Sequence, residues 1–130
     1  MKQEILKILV IDDDPASLAL VRATLRQANY LNVDLFENPL EAQRAYQTTQ
    51  YDILILDLRM PVLSGFEILE EMQAIHNKRP RTIVLTAQVE EDTAQKAMDL
   101  GAKKVLFKPY NVKDLVKEVA TQIEALEYTH

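Results

Sequence analysis

The stretch Asp52-Ile53-Leu54-Ile55-Leu56-Asp57-Leu58-Arg59-Met60-Pro61-Val62-Leu63-Ser64-Gly65 decides the fold. Ile53 to Leu56 is a short apolar run with no polar alternation. Such a run fits a strand covered on both faces, as in a parallel sheet. It ends on a carboxylate, Asp57, and after the loop Phe66, Leu69, Met72 and Ile75 recur at helical spacing. The stretch therefore predicts a strand, an acid-bearing loop and a helix.

Working outward, the same unit repeats. Ile8-Leu9-Val10-Ile11, Thr82-Ile83-Val84-Leu85 and Val105-Leu106-Phe107 are further apolar runs, while Val33-Asp34-Leu35-Phe36 alternates and suggests an edge strand. Between them lie helical stripes: Leu18, Val21, Leu25, Ala28; then Ala42, Ala45, Tyr46; then Ala94, Ala97, Met98. Val112, Leu115, Val119, Ile123 and Leu126 mark a last helix. Asp14-Pro15 and Asn38-Pro39 supply an N-cap followed by proline at the first helical position. Gly101 is placed to close the fourth helix. The expected fold is α/β: five strand–helix units, (βα)5, forming one doubly wound parallel sheet with helices on both faces.

Composition narrows the function. A length of 130 residues allows one domain, 1–130, with a core expected over about 7–126. Acids outnumber bases 20 to 15, the reverse of a nucleic-acid-binding balance, so no direct nucleic-acid partner is expected. The absence of cysteine excludes disulfides, thiolate metal sites and thiol catalysis, and two histidines, His76 and His130, make a histidine metal site improbable. With only two glycines there is no nucleotide-cradling loop. Nothing resembles a targeting signal or a membrane span, so a cytoplasmic location without membrane contact is expected.

Ligands of open α/β sheets bind beyond the carboxyl ends of the strands. Those ends carry Asp12, Asp13 and Asp14, then Asp57, then Thr86-Ala87, then Lys108-Pro109. If the first and third strands are neighbours, Asp12, Asp13 and Asp57 converge and raise one another's pKa unless a cation intervenes. An all-oxygen set too sparse for a calcium cage suits Mg²⁺ (or Mn²⁺). A metal, a lysine and a hydroxyl around one carboxylate make a site for phosphoryl chemistry.

These residues, with the Asp57-Leu58-Arg59-Met60-Pro61-x-x-x-Gly65 continuation, resemble the receiver domains of two-component response regulators, the CheY-like superfamily. Five motifs in order carry the resemblance from about Lys7 to Ile123. It implies strand order 2-1-3-4-5 and a phosphorylation-operated switch. Asp57 would be the phosphoacceptor, served by a histidine kinase or phosphotransfer protein. Asp13, Asp57 and the backbone carbonyl of Arg59 would ligate Mg²⁺, with Asp12 acting through a metal-bound water. Thr86 and Lys108 would contact phosphoryl oxygens, and small Ala87 would leave the group room to enter. The Lys108–Pro109 peptide would be cis. Arg59 and Gln88 occupy positions that tune phosphoryl lifetime. The readout would run through the fourth helix, fifth strand and fifth helix toward a downstream effector or a phosphorylation-dependent homodimer. Such a domain is a signalling module, catalysing only its own phosphoryl transfer and autodephosphorylation. One departure is Val105, where the family commonly has a switching Tyr or Phe.

Plainer roles compete at several positions. Asp14 reads as an N-cap. His76 reads as a cation at the end of the third helix, and Glu90, Glu91 and Asp92 as acids in the first turn of the fourth. Tyr110 reads as packing. Lys103-Lys104 replaces the acid pair that many DNA-binding regulators carry before the fifth strand, which disfavours their salt-bridged dimer. A haloacid-dehalogenase-like phosphatase would need an acid where Arg59 stands, and a flavodoxin-like carrier would need a phosphate loop where the first acids stand. A receiver fold used as an interaction module, with little phosphate-dependent switching, is the alternative that Val105 supports.

Overall fold

The computed structural model describes residues 6–75, 79–90 and 92–128. The strands are β1 (Ile8–Ile11), β2 (Val33–Phe36), β3 (Ile53–Leu56), β4 (Arg81–Thr86) and β5 (Ala102–Phe107). The helices are α1 (Pro15–Gln27), α2 (Pro39–Thr48), α3 (Gly65–Gln73), α4 (Thr93–Asp99) and α5 (Val112–Tyr128). Strand and helix alternate throughout, and the sheet is parallel in the order β2-β1-β3-β4-β5. β2 is the half-buried edge that its alternating sequence predicts.

Alternation along the central strands divides the core in two. Leu9, Ile11, Leu54, Leu56 and Val84 face α2, α3 and α4, meeting Ala42, Ile68, Leu69, Met72 and Ala97. Ile8, Val10, Ile53, Ile55, Ile83 and Leu85 face α1 and α5, meeting Leu18, Val21, Leu25, Leu115 and Val119. Fully burying each such side chain contributes about 1.5–3 kcal/mol, so the sheet's centre anchors both layers.

The caps are where the sequence puts them. Asp14 and Asn38 accept the N–H groups of Ala16 and Leu40. Gly101 follows α4 with φ +110°, a conformation open to glycine. Two readings of the fourth helix need correction. Met98 is 43% exposed, and Thr93 and Ala97 make the buried face instead. Glu90 and Asp92 precede α4 rather than filling its first turn, because the chain turns helical only at Thr93. Val112 at the start of α5 is also exposed, and the buried face of that helix begins at Leu115. His76, Glu91 and His130 lie outside the described residues.

Candidate phosphoacceptor site

Register brings the acids together. Ile11 pairs with Leu56, so Asp12 and Asp57 emerge side by side, and the Asp57 N–H donates to the Ile11 carbonyl at 3.0 Å. Asp12, Asp13 and Asp57 each offer an oxygen, and these oxygens lie within 4.8 Å of one another. β4 pairs with β5 at Thr86 and Phe107, which carries Lys108 past the last rung, its N–H on the Thr86 carbonyl at 2.8 Å. The Lys108–Pro109 peptide is cis. The mouth is a cleft of about 320 Å³ lined by Asp13, Asp14, Asp57, Arg59, Met60, Pro61, Ala87 and Lys108.

Within the cluster the two buried carboxylates differ. Asp12, only 2% exposed, has three protein donors. Its Oδ1 accepts the Asp14 N–H at 3.0 Å, and its Oδ2 accepts the Ser17 hydroxyl at 2.5 Å and the Lys108 ammonium at 2.8 Å. Asp57 has a long bond from the Arg59 N–H at 3.4 Å and the Lys108 ammonium 3.8 Å away. Burial pushes the Asp57 carboxyl up to about 6; Lys108 lowers it, the Asp12 charge raises it, the Arg59 N–H lowers it, and Asp13 adds a further rise.

The remaining candidates surround this pair. Thr86 is fully buried, and its hydroxyl oxygen accepts the Gln88 N–H at 3.0 Å. Among the described residues its O–H donates to none, so that proton stays available to a ligand. Ala87 is exposed at the cleft. Arg59 projects outward and pairs with Glu90 at 3.5 Å, both side chains well exposed. Val105 is half-buried against the α2–α3–α4 side of the core. Tyr110 packs against the opposite layer as its packing role predicts, but its hydroxyl is buried without a hydrogen-bond partner among the described residues. Burial, and then the Asp12 charge, raise its pKa.

Sequence reasoning missed Ser17 and gave Glu90 only a place in the first turn of the fourth helix. Ser17 reaches Asp12 only because α1 follows the strand end so closely, and its spacing carries no signal of that kind. Glu90 reaches Arg59 across two loops, which no local pattern encodes.

A family profile described as "Response regulator receiver domain" matches residues 8–120. The chain belongs to this family. Such receiver domains are phosphorylation switches, and they generally bind Mg²⁺ at an acidic pocket of the kind Asp12, Asp13 and Asp57 form here. Similar curated proteins include the transcriptional regulatory proteins KdpE of Staphylococcus aureus and ZraR of Klebsiella oxytoca. Each is 34% identical; the matches cover 95% and 99% of this receiver domain but only 52% and 28% of those proteins. The chain thus spans about half, or less, of these relatives. Among solved structures, a response regulator receiver domain protein from Clostridium thermocellum is 30% identical at a TM-score of 0.84, covering 97% of this chain and all of that one. A CheY-like receiver domain protein from Methanospirillum hungatei shares the fold at a TM-score of 0.87 with 23% identity, over 96% of this chain and 99% of that one. Among the described residues no helix is long and apolar enough to cross a membrane.

Proposed function

We propose that this receiver domain accepts a phosphoryl group on Asp57 from the phosphohistidine of a histidine kinase or phosphotransfer protein. An Asp57 oxygen attacks phosphorus, an O–P bond forms, the N–P bond breaks, and its electron pair returns to the imidazole. One observation carries the reading. Asp57 is the under-satisfied one of two buried carboxylates in the acid cluster, with a lysine poised between it and its fully satisfied neighbour Asp12.

The acid oxygens fit a hard divalent cation, since three carboxylates converge with oxygens within 4.8 Å of one another. Asp13, Asp57 and the Arg59 carbonyl would hold Mg²⁺ or Mn²⁺, with Asp12 acting through a bound water, and the ion would offset charge on the phosphoryl oxygens. Lys108 then turns toward one phosphoryl oxygen, and the Thr86 O–H donates to another. Ala87 leaves the opening clear. Gln88 and Arg59, at its rim, tune the lifetime of the aspartyl phosphate.

Drawing Thr86 and Lys108 inward pulls on the loops before α4 and α5. The α4–β5–α5 face then changes its contacts with an effector protein or domain, or with a second copy. Work in the cytoplasm and an output like that of the transcriptional regulators it resembles follow from the same reading. A second reading is favoured by Val105: without an aromatic to rotate there, the domain serves as an interaction module with little phosphate-dependent switching.

Intact mass after incubation with Mg²⁺ and acetyl phosphate tests both. One base-labile phosphoryl adduct, absent in Asp57→Asn, is the expected result. No adduct on the wild-type chain would sink the first reading and leave the second.

A further inference from the structure

Ser17 stands in the first turn of α1 without a capping duty, because Asp14 already caps that helix. Its hydroxyl instead donates to Asp12 Oδ2 at 2.5 Å, the same oxygen that takes the Lys108 ammonium at 2.8 Å. Oδ1 is held separately by the Asp14 N–H. Asp12 is buried, so apart from the one metal-bound water proposed above, an oxygen abandoned by a donor is not rescued freely by bulk water.

This arrangement bears on how Lys108 moves. The ammonium rests 2.8 Å from Asp12 Oδ2 and 3.8 Å from Asp57 Oδ2. Serving a group on Asp57 means weakening the Asp12 bond. If Lys108 were the sole donor to that oxygen, the move would strand a buried carboxylate oxygen. With Ser17 in place, one donor stays behind and Asp12 keeps its orientation.

We propose that Ser17 is a positioning residue. Its hydroxyl anchors Asp12 and keeps it satisfied while Lys108 transfers to the phosphorylated Asp57, which eases engagement of the lysine with phosphate. The proposal rests on the phosphoacceptor reading of Asp57. Ser17 touches neither Asp57 nor any phosphoryl oxygen in this scheme; it acts through Asp12.

The test compares wild type with Ser17→Ala and with the near-isosteric pair Ser17→Thr and Ser17→Val, which differ in a hydroxyl for a methyl. Calorimetry measures affinity for beryllium fluoride, a phosphoryl mimic, at saturating Mg²⁺. Thermal unfolding of each variant checks that it is folded, and binding of Mg²⁺ alone is measured in parallel. Leaving the Asp12 oxygen under-satisfied once Lys108 moves predicts about tenfold weaker mimic binding in Ser17→Ala and Ser17→Val. Ser17→Thr should stay within about threefold of wild type, since it keeps the donor. A purely structural role would lower the unfolding temperature and leave mimic affinity unchanged, or would make Thr as poor as Val; either outcome overturns the proposal. If Ser17→Ala does not fold, the Thr–Val contrast decides. A wild-type chain that neither binds the mimic nor forms the Asp57 adduct overturns the phosphoacceptor reading together with this one. Normal wild-type binding with unaffected Ala and Val variants overturns only the role of Ser17.

Discussion

The loop after β3 and the loop after β4 both deliver a functional side chain to the same cleft, yet they are built differently. The first, carrying Asp57, is pinned: Leu58 and Met60 are buried, the Gly65 N–H bonds the Leu58 carbonyl at 2.9 Å, and Ser64 and Glu67 close a capping box on α3. The second, carrying Thr86, lacks that closing device: among its described residues, Asp92 before α4 makes no side-chain cap bond. The difference suits a switch. In the proposed switch, Asp57 would sit on a firmly bonded base while the α4 end that would read it carries no side-chain cap.

The strongest challenge to this contrast is Gly65→Ala. A methyl at Gly65 would fall 2.5 Å from the Asp57 carbonyl oxygen and 2.6 Å from Leu58 Cα, both backbone atoms with no room to yield. Such overpacking predicts a loss of about 3 kcal/mol, read from the urea midpoint. A near-neutral result would mean that the β3–α3 loop is no more fixed than its neighbour.

Asp57 itself works against the rigidity around it. As an acid whose folded pKa rises from 3.8 to about 6, it holds its proton more tightly folded than unfolded. Its destabilising effect is therefore absent below the unfolded value, grows as pH rises, and is complete above about 6. In metal-free buffer Asp57→Asn should stabilise the chain by about 1–3 kcal/mol at pH 7.5, a gain that fades as the pH falls to 4. Unfolding curves at the two pH values check this; an equal gain at both would assign the effect to something other than the buried charge.

The caps sharpen the comparison at smaller scale. Ser64→Ala removes a bond that the structure contains and should cost about 1 kcal/mol, whereas Asp92→Ala removes none and should cost under about 0.5 kcal/mol. Equal losses in denaturant unfolding would show that α4 is capped as firmly as α3.

The same contrast explains what the sequence made legible. β3 and Asp57 stood out because an unbroken apolar run ending on an acid needs no tertiary information to be noticed. The motif order then carried the strand order, which the runs alone left open since their lengths and compositions are alike. α4 was misread because it is short and packs through Thr93 and Ala97, too little for a hydrophobic period to register. Val62, with φ +73° and 81% exposure, is a left-handed β-branched residue that no pattern announces. Its strain is tolerated where the surrounding loop is pinned on both sides. The contacts of Ser17 and Glu90 were missed for a simpler reason: their partners lie across turns that only the folded register defines.

Among the described residues, one ion pair joins the two loops, between Arg59 and Glu90 at 3.5 Å. It tests whether the β4–α4 loop borrows order from the β3–α3 loop. The two side chains are 69% and 57% exposed, so water screens the attraction and holding them together costs rotamer freedom. A double-mutant cycle on Arg59→Ala and Glu90→Ala should therefore give a coupling of about 0.2–0.5 kcal/mol, fading as salt is raised. A coupling above about 1 kcal/mol that survived 0.5 M salt would mean that the pair clasps the loops before phosphorylation. The β4–α4 loop would then owe its resting position to Arg59 rather than to its own weak packing. A coupling at the small end would leave that loop free to follow Thr86 inward in the proposed switch, consistent with the missing cap at Asp92.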